Sequence, residues 1–226
     1  MVDCDPVTES SHTPVVPTPA NTPSGRSDAR QNRARLLIAA RDVLKEHGLH
    51  GEVTEIANRA EVGAGTLYRH FPSKDALIAA VSEELHAAIL AELERASRID
   101  DARDALAHVV RAEYGLVEDY GQLFLALMSG SGPATLYKAF DGERISGLIA
   151  QIIRRGIEQQ HFRQDLDIDH AIGLIYALFA PISLASLMRQ RSLEEIATAS
   201  TDFILAGLAA PNQPSAPSST PRGPAS

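Results

Sequence analysis

Thr66, Tyr68, Arg69, His70 and Lys74 lie within one stretch of nine residues. Together they offer a hydroxyl, a phenol, a guanidinium, an imidazole and an ammonium, the groups that bind phosphate oxygens and base edges. Around them, Ile56, Ala57, Ala60, Val62, Leu67 and Phe71 are apolar at spacings that let two short helices cross and bury one seam. Ala57 is small where those helices approach most closely. The face left over is Ala64, Gly65, Thr66, Tyr68, Arg69 and His70, which can donate hydrogen bonds, stack, or lie close to a surface. Such a face suits a helix presented to the major groove of DNA, its amino end towards the bases and backbone. The unit of interest therefore runs from Val53 to Phe71.

The rest of the chain must position that unit, and its apolar residues recur at helical spacing throughout, with no convincing alternating strand. Leu36, Leu37, Ala40, Val43 and Leu44 predict a first helix, closed by Gly48. The two helices of the motif follow, the second stopped by Pro72. Ser73 caps a long fourth helix carrying Leu77, Val81, Leu85, Ile89 and Leu93. Asp100 or Asp101 caps a fifth with Leu106, Val109, Val110, Tyr114 and Val117. A sixth spans 122–128 and ends at the Gly130–Pro133 break, a seventh spans 145–160, and an eighth 169–188, kinked at Pro181. Ser192 and Glu195 form a capping box for a ninth that buries Ile196, Phe203, Ile204 and Leu208. The expected fold is all-α, with an N-terminal three-helix module on a larger helical body and about nine helices.

Composition bounds the functional classes. Residues 1–25 and 211–226 are rich in Pro, Ser and Thr and poor in large apolar residues, so both are expected to be disordered tails. The expected domains are then 26–75 for DNA binding and 76–210 for the body. The single cysteine, Cys4, excludes an intrachain disulfide and a Cys-based metal site. The opening residues lack the basic and apolar regions of a signal peptide, so a cytoplasmic location is expected. The net charge of −8 is unevenly spread: residues 26–80 carry nine Lys/Arg against seven Asp/Glu, leaving −10 on the remainder. A mildly basic front on an acidic body suits one DNA-contacting end. Nothing supports an enzyme, a cofactor or a metal. Asp165, Asp167 and Asp169 alternate like a calcium loop, but His170 and Tyr176 stand where glycine and glutamate are needed. His47 and His50 straddle Gly48. Gly63 and Gly65 lack the third glycine of a dinucleotide loop.

The runs GTLYRHFPSKDAL (65–77) and EIANRAEVG (55–63) resemble the TetR family of bacterial regulators, with the likeness extending over residues 29–81. The resemblance implies a homodimer whose first three helices bind a near-palindromic DNA operator. It implies that the remaining helices form a small-molecule pocket and a dimer interface, the latter through the eighth and ninth helices. It further implies a repressor that a small-molecule effector releases from DNA. Carried onto this chain, Ala64, Gly65, Thr66 and Tyr68 sit at the groove, His70 and Lys74 bind phosphate, and Arg33 or Arg35 clamps the backbone. Arg69 is the candidate for a specific base contact, because a guanidinium can bond guanine in two places. Two residues depart from the family pattern. Glu61 stands where the turn usually has glycine, and Gly63 replaces the usual Ser or Thr cap of the recognition helix.

For the effector, Ile89, His108, Tyr114, Phe124, Met128 and Tyr176 are the candidate pocket residues. The absence of Trp and the Ala/Leu-rich body point to an apolar or moderately polar molecule. The uncharged run 171–188 gives an alternative, a membrane-anchored helix-turn-helix regulator with that run as its span. Burial in a core and a dimer interface leaves the same signature, so no membrane partner is expected.

Overall fold

Helix α1 (Pro23–His47) opens on a proline, which suits the first helical position because the N–H it lacks has no intrahelical partner there. The computed structural model describes residues 23–130, 132–138 and 140–210. The expected tails lie outside these residues, apart from 23–25, which join α1. After a 3₁₀ turn at Gly48–His50 come α2 (Val53–Arg59), α3 (Ala64–His70) and α4 (Lys74–Ser97). Then follow α5 (Ala102–Met128), α6 (Ala134–Tyr137), α7 (Gly142–Glu158), α8 (Ile168–Leu178), α9 (Pro181–Leu187) and α10 (Leu193–Leu208). The fold is all-α. Among the described residues the one β feature is an isolated bridge between Phe162 and Ala209.

The predicted stripes are buried. Leu36, Leu37, Ala40, Val43 and Leu44 of α1 pack with Ile56, Ala57, Leu67 and Phe71 of the motif, and Leu77, Val81, Leu85, Ile89 and Leu93 line the inner face of α4. The caps sit where the sequence puts them. Ser73 accepts from the Ala76 N–H, Asp101 from Arg103 and Asp104, and Ser192 and Glu195 form the reciprocal box. Helix α5 is the axle of the body: α1, α4, α7 and α10 all pack on it.

The expected sixth helix over 122–128 is present, set off from the fifth by Gly121, whose φ of 48° and ψ of −120° are not helical, so that α5 holds two helices joined across a kink. Three expectations are corrected. A short helix, α6, occupies the segment after Pro133, where only a break is expected. The predicted eighth helix is two helices, α8 and α9, bent by 49°. Pro181 is the first residue of α9 rather than a kink within one helix, since it forces Ala180 into extended backbone (φ −59°, ψ 136°). That break divides the span expected under the membrane reading: no single described helix is long and apolar enough to cross a membrane, and α8 and α9 meet the length and composition only as a bent pair. Finally, Phe203 is not buried but 71% exposed on α10.

Candidate functional site

The motif owes its angle to the turn between α2 and α3. Ala60 ends α2, and Glu61 takes a left-handed conformation with φ 53°. Its N–H donates to the Asn58 carbonyl, and that of Val62 donates to the Ala57 carbonyl at 3.0 Å. These are the two bonds of a Schellman cap, satisfying carbonyls that the helix end would leave orphaned. Gly63 then caps α3 by backbone alone. Arg59 staples α2 to α1. It donates two bonds to Glu46, at 2.9 and 2.7 Å, and one to Glu55 at 2.7 Å. The guanidinium holds the Glu46 carboxyl below the usual carboxylate range. His47 lies 3.7 Å from Glu46 and 3.6 Å from Glu55, so the three could ring a cation, but Arg59 already occupies both carboxylates. His50 is outside that group.

Leu67 and Phe71 anchor α3 to the core, so the opposite face must point outward. Ala64, Gly65, Tyr68 and Arg69 are exposed there, with Thr66 and His70 half-buried at its edges. Arg69 folds back along its helix. Its Nη2 donates to Thr66 Oγ1 at 2.9 Å, and its Nε to the Gly65 carbonyl at 3.4 Å. Arg33 is exposed and stacks over the Phe71 ring, 5.2 Å from the centroid, which holds a cation at the foot of α3. Arg35 is placed differently. It donates to Asn32 Oδ1 at 2.9 Å and lies 3.9 Å from Glu61, and its Nε is buried without a partner. Arg35 thus faces the turn, and Arg33 faces the recognition helix. Lys74 begins α4, half-buried next to the Ser73 cap.

In the body, the six pocket candidates do not share one environment. Ile89, Tyr114 and Phe124 are buried in the core. Tyr114 bridges to α10 through Ser200, 2.8 Å between oxygens, and its ring meets Phe179 at 4.9 Å. Burial raises its phenol pKa. Met128 is half-buried at the end of α5. His108 is bound to Glu92 at 2.9 Å in an open groove of about 560 Å³ that also takes in Asp104, Arg111 and Asp119. Tyr176 is half-buried, its hydroxyl 3.3 Å from that of Ser146 on α7. Burial, and then the charge of Glu113, raise its pKa.

Glu113 is a residue that the sequence reading passes over. Burial pushes its carboxyl up to about 7. A signal was available: it falls seven residues after Leu106 and four before Val117, on the apolar stripe of α5, where an acid is out of place. His86 on α4 is a second. Its Nδ1 is buried without a partner, and its ring lies 5.2 Å from Phe140.

Residues 36–81 match the family model for bacterial regulatory proteins of the tetR family. The transcriptional regulator UidR of Escherichia coli K12 is 39% identical over 72 residues, 31% of this chain and 33% of that regulator, so the chain spans about a third of its length. A protein from Saccharomonospora viridis, described as a transcriptional regulator and solved with choline, is similar in fold with a TM-score of 0.67. It is 26% identical, over 80% of this chain and 98% of that one. The transcriptional regulator FadR of Bacillus subtilis, solved with stearoyl-CoA, shares the fold at a TM-score of 0.62 and 20% identity, over 77% and 98% of the two chains.

Proposed function

Because residues 36–81 make the chain a member of the tetR family of bacterial regulatory proteins, we propose that it is a dimeric repressor. It grips a near-palindromic operator with α3 and leaves it when a small molecule occupies the body. The observation that carries this reading is the face of α3: Gly65, Thr66, Tyr68 and Arg69 stand outward over a seam closed by Leu67 and Phe71. Thr66 and Tyr68 serve phosphates or base edges, His70 and Lys74 serve phosphates, and Arg69 reads a base once it swings off Thr66. Of the two candidate clamp arginines, Arg33 is the better, because Arg35 is held by Asn32 and Glu61.

A dimer is supported by what α8, α9 and α10 leave uncovered. Leu174, Ile182 and Phe203 are 59%, 84% and 71% exposed. Large apolar side chains left exposed on three successive helices suit an association surface. Two copies joined there would each present one α3 to the same DNA face. An effector that favours a spacing away from about 34–36 Å lowers affinity by its differential binding to the two poses. Helix α4 is the lever, since Lys74 starts it at the phosphates while Leu85, Ile89 and Leu93 bury its far half in the body. The proteins solved with choline and with stearoyl-CoA are consistent with a body that takes small organic molecules.

The test is a mobility-shift titration of the full chain on the intergenic DNA beside its own gene, at two salt concentrations. Discrete, salt-sensitive binding to a near-palindromic site is expected. Weak binding, equal on any DNA, would overturn the reading.

A further inference from the structure

The effector reading leaves one group in the body without a task. Glu113 of α5 has no hydrogen-bond or ion-pair partner among the described residues, and its carboxyl is enclosed by protein. The residue is half-buried, as are Tyr176 and Ser146. The Tyr176 phenol of α8 lies within reach of its charge, and the Tyr176 hydroxyl is 3.3 Å from Ser146 Oγ of α7. Three helices thus bring an acid and two hydroxyls, all half-buried, to one region. One turn away on the same faces the residues are apolar and buried: Val110 and Val117, Ile149, Ile172.

A lone buried carboxylate loses its hydration and gains nothing in return, so it sits partly protonated, consistent with a pKa of about 7. A cation arriving with its own apolar body reverses that balance. We propose that Glu113, with Tyr176 and Ser146 beside it, anchors the ammonium head of a small organic cation between α5, α7 and α8. This rests on the reading of the body as an effector domain, and it names the chemical class of the effector. The carboxylate neutralises the head, the hydroxyls order it, and the valines and isoleucines cover its carbon substituents.

The test is a calorimetric titration of the full chain with benzyltrimethylammonium, with hexylammonium, and with phenylacetate as the anionic counterpart. At least one cation should bind, and phenylacetate should not. Binding at pH 6.5, repeated in buffers of different ionisation enthalpy, should release protons as Glu113 ionises. Glu113→Gln should weaken the cation by roughly tenfold or more and abolish the proton release. Tyr176→Phe, which removes one oxygen, should weaken it several-fold and keeps the question answerable if the Gln variant does not fold. Binding of neither cation, equal binding of phenylacetate, or cation binding that both variants leave unchanged overturns the proposal. Operator binding without ligand is measured on the same preparation. Operator binding without cation binding sinks this proposal alone, whereas its loss beside intact cation binding sinks the repressor reading instead.

Discussion

Arg69 and Thr66 are tied together on the free protein, Nη2 to Oγ1 at 2.9 Å. The bond parks the guanidinium one turn back along α3. The side chain that would read a base is therefore held against the helix, and exchanges one partner for another when it reaches a groove. Arg69→Ala should cost about 1–3 kcal/mol of operator affinity and relax preference at one base pair. Thr66→Ala frees the arginine but deletes a contact of its own, so the two losses should not add in the double variant. Operator titrations over single-base substitutions check both points. A uniform loss on every sequence would assign Arg69 to phosphate.

Glu61 holds φ at 53° with a side chain attached. A left-handed residue other than glycine costs about 1–2 kcal/mol. The 3.9 Å pair with Arg35 is solvent-exposed and offsets little of that. Glu61→Gly should therefore stabilise the chain by about 1 kcal/mol, less the added freedom of glycine when unfolded. Urea unfolding at neutral pH reads the difference. A loss of stability would show that the Arg35 pair outweighs the strain.

The recognition module was legible because local rules fix it. The Ile56–Ala57–Ala60 and Leu67–Phe71 stripes, the Pro72 stop and the Ser73 cap each follow from one or two neighbouring residues. The body was legible in its helices but less so in its partners. Phe203 follows Ile196 by seven residues and reads as core, yet Thr201, Ile204 and Leu208 turn inward on α10 and Phe203 stands on its outer face. Periodicity finds a stripe; it does not say which chain covers it. The Gly121 break is visible as a boundary, but the close approach of Lys45 at that point is encoded by no local pattern. Glu113 escapes the pattern because Leu106, Val110 and Val117 carry the helical period of that stripe without it.

Glu113 makes stability depend on pH. Its folded pKa is raised by burial, from 4.5 to about 7. For an acid shifted in that direction, the stability contribution is full below the unfolded value and is lost as pH rises through the folded one. Between pH 4.5 and 8 the native chain should lose up to about 3 kcal/mol from this group. Glu113→Gln should match the native chain near pH 5 after correction for the substitution, and exceed it at pH 8. Urea midpoints at the two pH values check this. Parallel pH profiles for the two proteins would mean that the carboxyl is hydrated in solution.

Gly121 joins the DNA-binding module to the body. At φ 48° and ψ −120°, a Cβ there would lie 2.5 Å from the Lys45 carbonyl oxygen of α1, and Gly48 meets Gln122 from the other side. Gly121→Ala should cost about 1–3 kcal/mol for the backbone alone, and more for the clash unless α1 shifts. Thermal unfolding reads the first effect. A shift of α1 would appear as altered operator affinity in the protein that remains folded. An unchanged melting temperature would show that α5 straightens at this point without penalty.

Phe203 tests how the copies meet. At 71% exposed, it contributes little to the core of its own chain. Phe203→Glu should leave monomer stability within about 0.5 kcal/mol. It would, however, place charges opposite each other, or against Leu174 and Ile182, across an association surface. Sedimentation should show the native chain as a dimer and the variant as a folded monomer. Operator affinity should fall with the dimer, because two half-site grips on one body gain about 10²–10⁴ over a single grip. A variant that stays dimeric and keeps its operator affinity would move the interface off this face of α10.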